Sequence, residues 1–97
     1  MGAVKWYSRA AEQGDPNAQY LLGLAYDKGH GVRRNAVLAY MWLDLAAARA
    51  DSRARDYYAR IRDAVASKLT YAQLSQGQWL AHQWQPTPEQ PSGRLAY

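Results

Sequence analysis

Residues 14–32 contain a complete helix with the signals that start and stop it, and this stretch constrains everything around it. Gly14 is a left-handed stop for whatever precedes it. Asp15 is an N-cap residue, and Pro16 follows in the first turn, where its missing N–H costs nothing. From Pro16 to Lys28, the residues Ala18, Leu21, Leu22, Ala25 and Tyr26 recur at helical spacing and form a packing stripe. Gly23 lies mid-helix, where glycine costs about 1 kcal/mol relative to alanine. That cost points to close approach by a neighbouring helix. Gly29 and Gly31 then permit positive φ and break the helix, and Val32 can turn back toward the core. One amphipathic helix cannot bury its own face, so its neighbours must cover it.

Those neighbours also read as helices. Residues 2–13 place Val4, Tyr7, Ala10 and Ala11 on one side, widened by Ala3 and Trp6. Asn35 caps a third helix, Ala36–Arg49, that is apolar nearly all round and so buried on several sides. Asp44 inside it needs a partner or an exit to solvent. Asp51 or Ser52 caps a fourth, Arg53–Lys68, with Ala54, Tyr57, Tyr58, Ile61, Val65 and Leu69 as its stripe. Thr70 caps a fifth, Tyr71–Trp84, with Leu74, Leu80, Ala81 and Trp84 as its apolar contacts. Residues 85–97 hold three of the four prolines together with Ser, Gly and Gln, the composition of a disordered tail or linker. The fold class is all-α.

Several function classes fall away on chemistry. The 97 residues contain no cysteine, which excludes disulfides and thiolate metal sites. The net charge of +4 is spread along the chain and interleaved with Asp, as in residues 51–56, so it reads as a solvated helix face and no nucleic-acid partner is expected. No apolar run approaches the ~20 residues of a membrane span. The first residues lack the apolar core of a signal peptide, and localisation stays open between cytoplasm and periplasm. His30 and His82 are far apart, and Asp27 near His30 does not complete a zinc set. No serine sits in a nucleophile elbow. The Gly29–Val32 turn has no preceding strand and no following Lys-Ser, so it is not a phosphate loop. The reading is a non-enzyme with no catalytic, metal or cofactor residues.

The chain partly repeats itself at a shift of 36. Ala3 meets Ala39, Trp6 meets Trp42, Ala10 and Ala11 meet Ala46 and Ala47, Asp15 meets Asp51, and Ala18 meets Ala54. Helix-turn-helix units at this period stack into an α-solenoid, because each unit leaves a face for its neighbour. The run Ala18-Gln-Tyr-Leu-Leu-Gly-Leu-Ala-Tyr, then Gly29-His-Gly-Val, then a Trp/Tyr-Ala-Ala helix, resembles the Sel1-like repeat, the glycine-marked relative of the tetratricopeptide repeat. Residues 40–84 resemble the closing segment of bacterial members. The resemblance covers about residues 3–86. It implies a tetratricopeptide-like α-solenoid over residues 1–84: a half repeat at 2–14, a full repeat at 15–50 and a modified closing repeat at 51–84. Agreement fades after Ala59.

The resemblance also implies a function. The first helix of each pair would line a concave groove, with Asn17, Tyr20, Leu24, Asp27 and Lys28 on one helix. Arg53, Asp56, Arg60 and Asp63 would follow 36 residues on. Asn and Arg there suit a peptide backbone or a carboxylate, and Tyr20 suits an aromatic anchor. The expected activity is protein–protein interaction, as a scaffold or adaptor for a protein or peptide partner. The alternatives are a non-catalytic platform for a cell-envelope enzyme and an anionic-polymer binder. Only one repeat is complete, and about three are usually needed for stability. The expectation is therefore the C-terminal piece of a longer solenoid, a truncated frame or a self-associating fragment. In that setting, exposed Trp6, Val4 or Tyr7 on the first helix would drive homo-oligomerisation or a swapped arrangement.

Overall fold

A computed structural model describes residues 2–87 and shows five helices: α1 (Gly2–Glu12), α2 (Pro16–Lys28), α3 (Ala36–Arg49), α4 (Ser52–Ala66) and α5 (Tyr71–Gln83). Among the described residues there is no strand, in agreement with the all-α reading. Residues 88–97 of the expected tail lie outside the described residues. Residues 85–87 are not helical, and the Thr87 N–H donates to the Glu12 carbonyl at 2.6 Å.

The helix ends follow local chemistry. The Asp15 carboxylate accepts from the Ala18 N–H, with Pro16 in the first turn of α2. Asn35 caps α3 through the Leu38 N–H. Asp51 caps α4 by accepting from both Arg53 and Ala54, so the helix starts at Ser52, one residue before the expected start. It ends at Ala66 rather than Lys68. Thr70 and Gln73 form a reciprocal capping box at the start of α5. Gly14 closes α1 at φ +103°, a conformation that L side chains rarely adopt. A Cβ there would also lie 2.5 Å from Arg49 Nη2, and the Arg49 Nε donates to the Gly14 carbonyl at 2.9 Å.

α3 is the centre of the molecule. It packs against α2, α4 and α5, while α1 packs on α2. Its all-round apolar surface is what this position requires, since each side meets a different neighbour. Gly23 lets α2 approach α3 closely, because a Cβ there would lie 2.8 Å from Leu43 Cγ and 3.2 Å from the Ala39 carbonyl oxygen. Gly77 does the same for α5, against the Tyr40 ring. Asp44 finds its partner in Arg62 of α4, at 3.0 Å. Gln19 is fully buried, and its amide donates to the Ala11 carbonyl at 3.0 Å, tying α2 to the last turn of α1.

Two expected packing residues stand outside the core. Leu21 is 37% exposed and Tyr57 47% exposed, each at the edge of its helix's stripe. Trp6 is 73% exposed, whereas Val4 and Tyr7 pack partly into the core beside Ala11 and Leu22. At the other end, Trp84 lies edge-on to Trp42 with ring centroids 6.2 Å apart, and the Arg49 guanidinium sits 5.4 Å from the Trp84 ring.

Candidate interaction surface

α2 and α4 run side by side. Tyr20 stacks on Tyr58 with ring centroids 4.5 Å apart, and its hydroxyl donates to the Tyr57 hydroxyl at 3.2 Å. The Tyr58 hydroxyl donates to Asn17 Oδ1 at 2.6 Å. The Lys68 ammonium, just past α4, donates to Asp27 Oδ1 at 3.0 Å. Partners advance together along both segments, so α2 and α4 are parallel. Burial, followed by the hydrogen bond to Tyr57, pushes the Tyr20 hydroxyl up to about 12. Burial likewise raises Tyr58.

These contacts divide the nine residues that the resemblance placed in a groove. Asn17, Tyr20 and Asp27 join α2 to the α4 segment. Leu24 is half-buried in a groove shared with Ala3, Val4 and Tyr7 of α1. Lys28, Arg53, Asp56, Arg60 and Asp63 are exposed, and Asp63 accepts from the Arg62 Nε at 3.0 Å.

The structure adds Leu21, Tyr57 and Ala64 to the exposed side. Asn17, Leu21, Leu24 and Lys28 fall at i, i+4, i+7 and i+11, one stripe along α2. Exactly 36 residues on, Arg53, Tyr57, Arg60 and Ala64 form the same stripe along α4. All are exposed except Leu24, which is half-buried. The combined surface holds three cations (Lys28, Arg53 and Arg60), an exposed tyrosine and two leucines. Sequence reasoning missed Leu21 and Tyr57 because an apolar or aromatic residue beside a packing stripe reads as part of it. Their identical place in the 36-residue register was the signal available.

Among the described residues no three His, Cys, Asp or Glu side chains gather as a metal site, and no helix is long and apolar enough to cross a membrane.

Comparison with known proteins agrees with the architecture. The chain is similar to the chitin synthase regulator SKT5 of Saccharomyces cerevisiae, at 44% identity over 52 residues. That stretch is 54% of this chain and 8% of the relative, so the chain spans under a tenth of that protein. No solved structure matches the chain. The model of the Sel1 repeat matches residues 2–15 and 16–51, each segment ending at an aspartate that caps the next helix or directly before the helix itself, and with those matches taking in more than half of its residues the chain belongs to the Sel1 repeat family.

Proposed function

We propose that the chain is a protein-interaction scaffold that captures an acidic segment of a partner protein along the paired stripes of α2 and α4. Sel1 repeats mediate protein–protein interaction, which supports the general class. The specific reading rests on one observation: α2 and α4 present the same four repeat positions along one side, and beside Asn17 and Ala64 the residues there are three cations, a tyrosine and two leucines, of which only Leu24 is half-buried. Lys28, Arg53 and Arg60 would meet carboxylates, and Tyr57, Leu21 and Leu24 would contact apolar side chains between them. Asn17 and Tyr20 support this surface from its inner edge by fixing α2 against Tyr57 and Tyr58. Asp27 is neutralised by Lys68, which keeps its charge from opposing an acidic ligand.

Selection of peptides from a displayed random library against the 97-residue chain tests the reading. Enriched peptides are expected to be acidic with interspersed apolar residues. They should lose binding to an Arg53→Glu/Arg60→Glu variant whose helicity by circular dichroism is unchanged. Equal binding to both proteins rejects the surface.

The same three cations favour a second reading, an anionic polymer in place of an acidic peptide. Affinity would then fall steeply and linearly on a log–log plot against salt. The similarity to a chitin synthase regulator supports an enzyme as the captured partner and a non-catalytic platform as this chain's part.

A further inference from the structure

Charge is distributed unevenly between the two ends of α2 and α4. At their starts, Asp15 and Asp51 cap the helices among Arg49, Arg53 and Arg55. At their other ends the chain turns basic, and no acid occurs from Lys28 to Leu43. Two hydrogen bonds gather cations there around Asp27. The Arg34 Nε donates to the Asp27 carbonyl at 3.1 Å, and the Lys68 Nζ donates to Asp27 Oδ1 at 3.0 Å. The Asp27 side chain is only 10% exposed, against 49% for Lys68, so the acid lies beneath and the cations form the outer layer. Lys28 and Arg33 adjoin them in the chain, both exposed and in no ion pair among the described residues. α3 and α5 also begin on this side, which adds the positive ends of two helix dipoles to the field.

We infer that this cluster seats a phosphoryl group, carried on a serine or threonine of the acidic segment that α2 and α4 hold. The inference rests on the acidic-segment reading and names what stands at one end of that segment. Lys28 closes the α2 stripe and opens the cluster, so the two surfaces are continuous. From the level of Arg53 to that of Lys28 the stripes run about 16 Å, which an extended peptide covers in about five residues. The residues that follow reach Arg34 and Lys68. The donors there suit a phosphoryl group better than one more carboxylate. Arg34 uses its Nε on Asp27 and keeps both terminal nitrogens, and Lys68 uses one N–H of its ammonium. Asp27 therefore holds two cations in place with donors left over. A phosphoryl group brings about two negative charges and three strong acceptor oxygens, more than a carboxylate can offer to this set.

The probe is a fluorescein-labelled peptide, Ser-Gly-Glu-Leu-Glu-Leu-Glu-Gly-Ser, made with both serines free or both phosphorylated. It is titrated with the full 97-residue chain and read by fluorescence anisotropy. A phosphoserine at each end lets either chain direction reach the cluster. Phosphorylation should tighten binding roughly tenfold. An Arg33→Gln/Arg34→Gln chain keeps the Asp27–Lys68 pair and should keep its helicity. Its gain from phosphorylation should shrink to about twofold or less, with affinity for the free peptide unaltered. A third peptide, with two glutamates in place of each phosphoserine, should bind more weakly than the phosphorylated one. Equal affinity for the free and phosphorylated peptides overturns the phosphoryl seat, as does a phosphorylated peptide that never saturates. So does a gain that survives Arg33→Gln/Arg34→Gln, or one that paired glutamates reproduce. The acidic-segment reading fails separately, when Arg53→Glu/Arg60→Glu leaves binding of the free peptide unchanged. Vesicles of phosphatidylcholine and phosphatidylserine supply the last arm. Vesicle binding that Arg33→Gln/Arg34→Gln abolishes, with no gain from peptide phosphorylation, assigns the cluster to a membrane surface and overturns the phosphorylated segment.

Discussion

α1 and α3 carry the same repeat positions and meet opposite fates. Trp6 is 73% exposed and Trp42 6% exposed, although both sit at the same place in the register beside a double alanine. Ala3 is exposed and its counterpart Ala39 fully buried. The difference lies in the neighbours. α3 is covered by α2 across Gly23, by α4 through Ile61 and Val65, and by α5 through Gly77 and Trp84. Among the described residues α1 packs chiefly on α2. A repeat position therefore becomes core only where a neighbouring helix covers it, and the residue type alone does not decide.

Three measurements can break or sharpen this comparison, beginning with the largest effect. Trp42→Ala should cost about 3–5 kcal/mol, as truncation of a buried aromatic does, whereas Trp6→Ala should stay within about 0.5 kcal/mol. Urea denaturation of the two variants decides it, and similar losses would show that Trp6 is covered in solution. Next, Gly23→Ala should destabilise by about 1–3 kcal/mol despite alanine's better helix propensity, because its Cβ meets Leu43 and the Ala39 carbonyl. If the variant gains stability, the contact of α2 with α3 has room to relax and the contrast between α1 and α3 weakens.

The smallest effect is a pH dependence centred on Tyr20, where α2 meets α4. Tyr20 ionises near 10 when unfolded and near 12 when folded, because burial and the hydrogen bond to Tyr57 favour the neutral hydroxyl. A raised folded value stabilises the fold fully below pH 10, and that stabilisation is lost as pH rises through 12. Tm should fall over this window, and Tyr20→Phe should flatten the fall. Tyr58, and Tyr40 on α3, are raised by burial in the same direction, so a residual slope remains in the variant.

Much of the fold is legible in the chain because its punctuation is local. Asp15, Asn35, Asp51 and Thr70 each cap a helix within three residues of themselves, and Gly14 and Gly29 end one by adopting positive φ. Helical periodicity also marks α3 as buried on several sides. It does not say which neighbour takes which side. Leu21 and Tyr57 read as packing residues and stand exposed, because a stripe's edge depends on where the adjacent helix lies. Asn17, Tyr20 and Asp27 lie on the polar side of α2 in sequence, yet their partners Tyr57, Tyr58 and Lys68 are 37 to 41 residues away. No local rule forms such a pair. The edge-on contact of Trp84 with Trp42 is another long-range pairing of this kind.

The hydrogen bond from Thr87 to Glu12 spans 75 positions, and Arg49 stands nearby between Gly14 and the Trp84 ring. Repeat arrays in which each unit touches only its neighbours can fray inward from either end. Here the segment after α5 is fastened to the last turn of α1, so opening one end breaks a contact of the other. Amide hydrogen exchange tests this coupling: protection of the Thr87 amide should fall together with that of the last turn of α1.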